Sequence, residues 1–397
     1  MNTTPVLHYI ETDADLAAAL RRLRASGAEV VALDTEFMRE KTYYAKLCLL
    51  QIASEEETLL VDTLGITDFR PLAELLVDPR VTKVFHAGGQ DLEILWQVCG
   101  VTVTPYFDTQ DAAELVGYPT QVGYGGLVTG ELGVKLRKAD SFTDWARRPL
   151  TRAQLDYAAD DVIWLLKLYP LLYDKLKEAG RLSWLQPAFE AKTDPATLDP
   201  DPREAWRKVK RVNQLRGVHL AVACELGTWR EEQARRVDRP RRWILGDESL
   251  TEIARRLPKT EDALSQIRGV DLRNTAMRRS LLEAVQTGID LPPEKWPQME
   301  SGRRPRVDVS AAVDLMVALV RLRARENNIT ANLLAGRGQL EALAADPEGD
   351  SPLLTGWRRD IIGNELLQLL RGKLVLSLEG DRLKVEQSTG KTDSKES

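Results

Sequence analysis

An α/β domain followed by all-α modules is the fold class that this sequence predicts, and three observations carry it. From residue 30 to about residue 190, short apolar runs rich in Val, Ile and Leu alternate with stretches of helical spacing, the pattern of strands feeding helices. Residues 193–202 (TDPATLDPDP) then hold three prolines and three aspartates, which breaks regular structure and reads as a linker. Beyond it, apolar positions recur at helical spacing alone. At 397 residues, 43% hydrophobic and 29% charged, the chain is long enough for two or three globular domains.

Several function classes are disfavoured at once. No apolar run is long enough to span a bilayer, and the N-terminal MNTTP lacks a basic stretch followed by an apolar one, so neither a membrane partner nor a secretory signal is expected and the expected location is cytoplasmic. Cys48, Cys99 and Cys224 are far apart without C-x-x-C spacing, and His8, His86 and His219 are scattered, which argues against a disulfide framework or a zinc site. The net charge of −5 is unevenly spread: residues 1–190 carry 19 basic and 28 acidic side chains, 191–300 carry 21 and 18, and 301–397 carry 15 and 14. Bound divalent cations would offset part of the acidic surplus up front, whereas the later segments can face phosphate without such help.

In order, residues 30–37 (VVALDTEF), 46–53 (KLCLLQIA) and 58–64 (TLLVDTL) read as strands joined by short polar connections, hence as an antiparallel meander. A helix is expected over 68–77, a strand over 82–87, a helix over 91–98 opened by Gly88-Gly89-Gln90, and a short strand over 103–107 leading into another helix. Thr151-Arg152-Ala153-Gln154 has capping-box spacing and starts a long helix, with Leu155, Tyr157, Ala158, Val162, Leu165 and Leu166 on or near one side. Past the linker, helices are expected over 203–216, 220–236, 247–256, 260–266 and 274–286.

Chemistry enters through acids that the elements do not need. Residues i and i+2 of a strand share a face, so Asp34 and Glu36 point one way and Thr35 the other. Such a pair is either a hydrated strand end or a site for a hard divalent cation, which favours oxygen ligands. Asp91 falls in a first helical turn, where the dipole alone would favour it. Tyr157 and Asp161 are neighbours at i and i+4 on one helical face, and Asp161 lies on the Leu165 side, where a carboxylate is costly unless paired or bound to metal.

The segments ALDTEF, FHAGGQDLEIL and YAADDV resemble the three motifs of the DEDD 3′-to-5′ exonuclease superfamily, in the subclass with Tyr before the last Asp. The text ELGVKLRKADSFTDWARRPLTRAQLDYAADDV is similar to that of the bacterial ribonuclease D family. The resemblance implies an RNase H-like exonuclease domain over 1–192, a mixed five-stranded sheet with flanking helices. It also implies two divalent metal ions, Mg²⁺ or Mn²⁺. Asp34, Glu36 and Asp161 would hold the ion that binds the attacking water, Asp34 and Asp91 would serve the second, and Tyr157 would orient the water. A phenol with an ordinary pKa near 10 is a poor base at neutral pH. Phe37, Met38 and Lys138 are candidate contacts to the terminal nucleotides. The implied activity is a 3′-to-5′ exoribonuclease that releases nucleoside 5′-monophosphates and trims tRNA precursors and other small structured RNAs, with RNA as partner and no obligate protein partner.

Two further stretches, RRWILGDESL (241–250) and LPKT…IRG (257–269), resemble the HRDC domain, placing a first copy at 203–290. ITANLLA (329–335) and LTGWR (354–358) suggest a second, divergent copy at 307–375 after a linker at 291–306, with 376–397 expected to be a disordered polar tail. Arg235, Arg236, Arg239, Arg241 and Arg242 crowd around Trp243. Such a run is a solvated face or a phosphate-binding patch; beside a nuclease domain, Arg241, Arg242 and Trp243 become candidate nucleic-acid contacts. Two other readings stay open, a DNA exonuclease and a non-catalytic RNA-binding protein, because the acids do not discriminate the sugar.

Overall fold

A computed structural model of the chain describes residues 6–136, 143–270, 275–299 and 308–388. Lys138, the 300–306 part of the second expected linker and the last nine residues of the expected tail lie outside them.

The first unit is a mixed sheet flanked by helices. Its strands are β1 (Val6–Ile10), β2 (Val30–Met38), β3 (Lys46–Ala53), β4 (Glu57–Asp62), β5 (Thr82–Phe85) and β6 (Tyr106–Asp108), in spatial order β1-β4-β3-β2-β5-β6. The meander β2-β3-β4 is antiparallel, as its short connections require, and β1, β5 and β6 join in parallel. The sheet therefore has six strands where five were expected. The extra one, β1, is an edge strand with only Ile10 buried and Val6, Leu7 and Tyr9 exposed, so it lacks the buried alternation that marks the others.

One sheet face, bearing Val31, Leu33, Leu50, Ile52, Leu59 and Val61, shares its core with Leu16, Leu20 and Leu23 of α1 (Asp13–Ala25) and Leu72, Leu75 and Leu76 of α2 (Arg70–Leu76). After β5 comes α3 (Gly89–Cys99), and after β6 come α4 (Thr109–Glu114) and α5 (Tyr124–Leu132). The opposite face is covered by α6 (Arg152–Glu178), whose Ala158, Ala159, Val162 and Leu165 are all buried. Its start is the expected capping box: Thr151 and Gln154 bond each other's backbone N–H. Then α7 (Leu182–Thr193) and the single turn α8 (Pro195–Leu198) close the unit.

A second core gathers Leu220, Val222, Ala223 and Leu226 of α9 (Gly217–Arg236), Ile244 of α10 (Arg241–Ile244), Leu250 and Ile253 of α11 (Asp247–Arg256), Leu264 of α12 (Glu261–Ser265), and Leu281 and Val285 of α13 (Thr275–Asp290). The helix expected over 203–216 is instead two 3₁₀ turns, Pro202–Lys208 and Val212–Gln214, with Arg211 between them at φ 63°. Trp206, Val209, Val212 and Leu215 are each 3% exposed and recur every third residue. That period eclipses on a 3₁₀ turn and drifts around an α-helix.

A third core is built from α14 (Ser310–Glu326), α15 (Ala331–Leu334), α16 (Arg337–Ala345), the short α17 (Gly356–Arg358) with a following π-helical turn (Arg359–Gly363), and α18 (Asn364–Leu370). It is not all-α, and the tail expectation fails over 376–387, because β7 (Leu374–Glu379) and β8 (Arg382–Gln387) form an antiparallel hairpin. Gly380 turns it at φ 65°, and Leu374, Leu376 and Val385 close the core. Both helical units dock on the α/β unit. Tyr43 enters the second core, while Leu333 and Trp357 pack against the first, with Trp357 stacked on Trp184 at 4.6 Å between ring centroids. Among the described residues, no helix is long and apolar enough to cross a membrane.

Candidate active site

The site is assembled where β2 outruns its neighbour. β5 pairs with β2 only at Val30, Val31 and Ala32, so the half of β2 carrying Asp34, Thr35 and Glu36 is open along that edge. On its other side β2 stays paired with β3, and a bulge after Glu36, where Cys48 is passed over in the register, turns the strand end. α6 crosses the same face and brings Asp161. One oxygen from each of Asp34, Glu36 and Asp161 lies within 4.8 Å of the others. Tyr157, one turn earlier on α6, makes a side-chain hydrogen bond to Asp161.

Asp91 arrives differently. The turn before α3 holds Ala87 at φ 56° and puts Asp91 in the first helical turn, 8% exposed. There it accepts a hydrogen bond from the Thr35 hydroxyl, which points to the sheet face opposite Asp34 and Glu36. The structure thus groups three of the four predicted acids and sets the fourth beside them, close enough for its charge to act on both Asp34 and Glu36.

The electrostatics are those of a crowded acid cluster. Burial, then the charges of Asp91, Asp161 and Glu36, raises the Asp34 pKa well above the carboxylate range. Burial with the charges of Asp161 and Asp91 pushes Glu36 up to about 8. Burial pushes Asp161 up to about 7, with the Tyr157 hydroxyl opposing, and Asp91 to about 6, with Thr35 opposing. The Tyr157 phenol is also raised, first by burial and then by Asp161, so it stays protonated at neutral pH. Oδ2 of Asp161 is buried without a hydrogen-bond partner among the described residues. Three converging carboxylates, one with an orphaned buried oxygen, are a donor set that fits a hard divalent cation.

Two supports escaped the sequence reading. Tyr124 of α5 donates its hydroxyl to the Asp161 carbonyl at 2.6 Å, fixing the turn of α6 that carries the carboxylate. Asp108, fully buried at the end of β6, accepts from the Ala87 and Gly88 N–H groups at 2.9 and 3.2 Å and from Lys192 Nζ at 2.8 Å, bracing the turn that presents Asp91. Only the D-T-Q-D step into α4 hinted at it, as an ordinary helix cap; Lys192 lies far along the chain.

Of the predicted nucleic-acid contacts, Phe37 and Met38 follow Glu36 directly and are half-buried. Arg241 does not stay free: its guanidinium bonds both oxygens of Glu231 and, at 3.0 Å, the Tyr43 hydroxyl. Arg235 likewise reaches Tyr43 and the Pro200 carbonyl. Arg242 and Trp243 remain exposed, Trp243 by 59%, with the Arg239 guanidinium 5.9 Å from its ring centroid. They lie on a cleft of about 1210 Å³ between the α/β unit and the second unit, which Arg39, Tyr44 and Trp96 also line.

Comparison with known proteins bears on this geometry. Residues 7–177 match a 3′-5′ exonuclease family and residues 219–279 the HRDC domain. The chain is 42% identical over 385 residues to ribonuclease D of Gluconacetobacter diazotrophicus, covering 96% of each protein, and 41% identical over 380 residues to that of Granulibacter bethesdensis, covering 94% of each. Among solved structures it is similar to Escherichia coli RNase D, described as an exoribonuclease involved in structured RNA processing, with TM-score 0.80 and 32% identity over 92% of this chain and 99% of that one. The catalytic core of RRP6 from Trypanosoma brucei matches with TM-score 0.52 and 25% identity over 72% of this chain and 80% of that one.

Proposed function

The chain belongs to the ribonuclease D family and is a 3′-to-5′ exoribonuclease, and from that premise we propose that it trims 3′ ends of tRNA precursors and other small structured RNAs with two divalent cations, Mg²⁺ or Mn²⁺, releasing nucleoside 5′-monophosphates. One observation carries the metal reading: the orphaned Asp161 Oδ2 beside Asp34 and Glu36. Bound there, such cations lower the pKa of a water and offset charge on the attacking and leaving oxygens of an in-line displacement.

The chain's own residues do the rest. Asp34, Glu36 and Asp161 hold one cation from two elements, a strand end and a helix face, so their geometry is fixed by the core rather than by a loop. Asp91, turned by Thr35 and braced through Asp108, serves the second cation together with Asp34. Tyr157 keeps its proton on the Asp161 hydrogen bond and orients the attacking water by its phenolic oxygen, a role that needs no phenolate. Phe37 and Met38 contact the terminal nucleotides, and Arg242 with Trp243 adds phosphate attraction and base stacking.

Residues 307–375 are read as a second, divergent HRDC copy from the likeness of ITANLLA and LTGWR, whose centres lie on α15 and α17, to that family. RNA as substrate supports a cytoplasmic location. The test is a 5′-labelled tRNA precursor with a short 3′ trailer and a matched single-stranded DNA, each with Mg²⁺, Mn²⁺ or EDTA, beside the Asp34→Asn protein. A one-nucleotide ladder on RNA that vanishes in EDTA and in the variant is the expected result. Equal activity of the variant would remove the metal assignment, and shortening of DNA alone would remove the RNA substrate.

A further inference from the structure

Gln51, in the middle of β3, is wholly buried. Neither its Nε2 nor its Oε1 has a hydrogen-bond partner among the described residues. A primary amide carries two donors and an acceptor, and burying all of them unpaired is a severe cost that native cores rarely accept. What lies opposite explains it. Gln51 pairs in register with Asp34 of β2 on one side and with Leu60 of β4 on the other. Directly opposed residues of an antiparallel ladder project from the same face, with Cβ atoms about 4.5–5.5 Å apart. The amide and the Asp34 carboxylate therefore share the face that α6 covers with Asp161. Its nearest neighbours along and across the strands on that face, Leu49, Ala53 and Leu60, are buried and apolar, with Thr58 and Asp62 diagonal to it, so methionine or leucine at this position would fill the core without orphaning an amide.

We propose that Gln51 is a positioning residue for Asp34. Its amide N–H reaches the Asp34 carboxylate across one buried water and fixes the direction in which that carboxylate faces Glu36 and Asp161. The inference rests on the divalent-cation reading of the site. A metal-binding carboxylate is held in place by such an outer hydrogen bond, and removing the partner costs about 10–100-fold in metal affinity or activity. RNA contacts are made elsewhere, so substrate affinity is left alone.

The experiment compares the full-length wild type with Gln51→Met and Gln51→Leu, both close to the original volume and both lacking the donor. Mn²⁺ binding is read directly, from the loss of the free-ion signal in electron paramagnetic resonance, and kcat and KM are measured on RNA at saturating Mn²⁺. The thermal midpoint in EDTA reports folding, and Gln51→Leu gives the answer if Gln51→Met does not fold. Expected is a 10–100-fold weaker Mn²⁺ affinity and a lower kcat, with KM within about twofold of wild type and an unchanged or higher midpoint. A purely structural glutamine would move the midpoint and leave Mn²⁺ affinity intact, and that result overturns the proposal. Wild-type protein that binds no Mn²⁺ overturns the cation reading itself.

Discussion

Glu36→Gln should stabilise the metal-free protein while removing its activity, because the acid cluster strains the fold that carries it. The Glu36 carboxyl is raised from 4.5 to about 8 by burial and by Asp161 and Asp91. A carboxyl whose folded pKa lies above its unfolded one costs nothing below pH 4.5, where it is protonated in both states. The cost grows as pH rises, since only the unfolded chain releases the proton freely, and levels off above about pH 8. At pH 7 the gap of roughly 2.5 units is worth about 3 kcal/mol, and solvent reaching a half-buried side chain reduces this to about 1–2 kcal/mol. For a domain of this size that is roughly 2–8 °C in Tm. Calorimetry in EDTA at pH 5 and pH 8 should show the variant melting higher, with most of the gap at pH 8. Excess Mn²⁺ should reverse the order, because a ligand at 100-fold its Kd adds about 2.7 kcal/mol to the wild type. A variant that melts below wild type in EDTA at pH 8, or a gap identical at both pH values, would refute the reasoning.

Asp34→Asn and Asp161→Asn should each lower kcat by on the order of 10³-fold or more with RNA binding retained, whereas Tyr157→Phe should cost about 10–100-fold, as single-turnover rates on labelled RNA would show. Replacing Arg242 and Trp243 together should weaken RNA binding and flatten its dependence on log salt by about 0.7, the slope of one single-strand phosphate contact. Trp357→Ala removes half of the stack on Trp184, so the 308–388 unit should melt in a separate, earlier transition in calorimetry while rates on short single strands are unchanged.

How much was legible in advance follows from which signals are local. Asp34 with Glu36, and Tyr157 with Asp161, are spaced by the periods of a strand and a helix, so their shared faces could be read before any tertiary contact was known. Asp91 could be placed on its helix but not relative to the others. Its approach to the face of Thr35 depends on β5 stopping short and on the brace from Asp108 and Lys192, neither of which leaves a local trace. β1 is too exposed to alternate, and Trp206 to Leu215 have a period of three that is close enough to 3.6 to pass for an α-helix. The hairpin at Leu374–Glu379 and Arg382–Gln387 does alternate around Gly380, but its polar outer face and the polar stretch after it hide the pattern.

The arginine run is the instructive ambiguity, since a row of positive charges in sequence does not say which are already spent. Glu231 is 2% exposed on α9; burial would raise its carboxyl, but the Arg241 and Tyr43 hydrogen bonds and the charges of Arg241 and Arg235 outweigh it and hold the pKa below its ordinary value. Tyr43 sits on the loop leaving the catalytic strand, where its carbonyl accepts from Arg39 and its N–H donates to Asp238 at 2.9 Å; Arg39 in turn pairs with Glu93 of α3 at 3.1 Å. A phosphate that drew Arg241 away would leave the buried Glu231 carboxylate with only the Tyr43 hydroxyl and the Arg235 guanidinium at 3.7 Å, and would loosen the junction between the two units, so Arg241 belongs to the joint and Arg242 to the surface. Arg241→Ala should therefore cost about 1–3 kcal/mol of stability, the range for leaving a buried polar group short of a partner, read as early melting of the second unit, and should leave the salt slope of RNA binding where it was. A flatter salt slope with unchanged melting would return Arg241 to the RNA and leave Glu231 without its explanation.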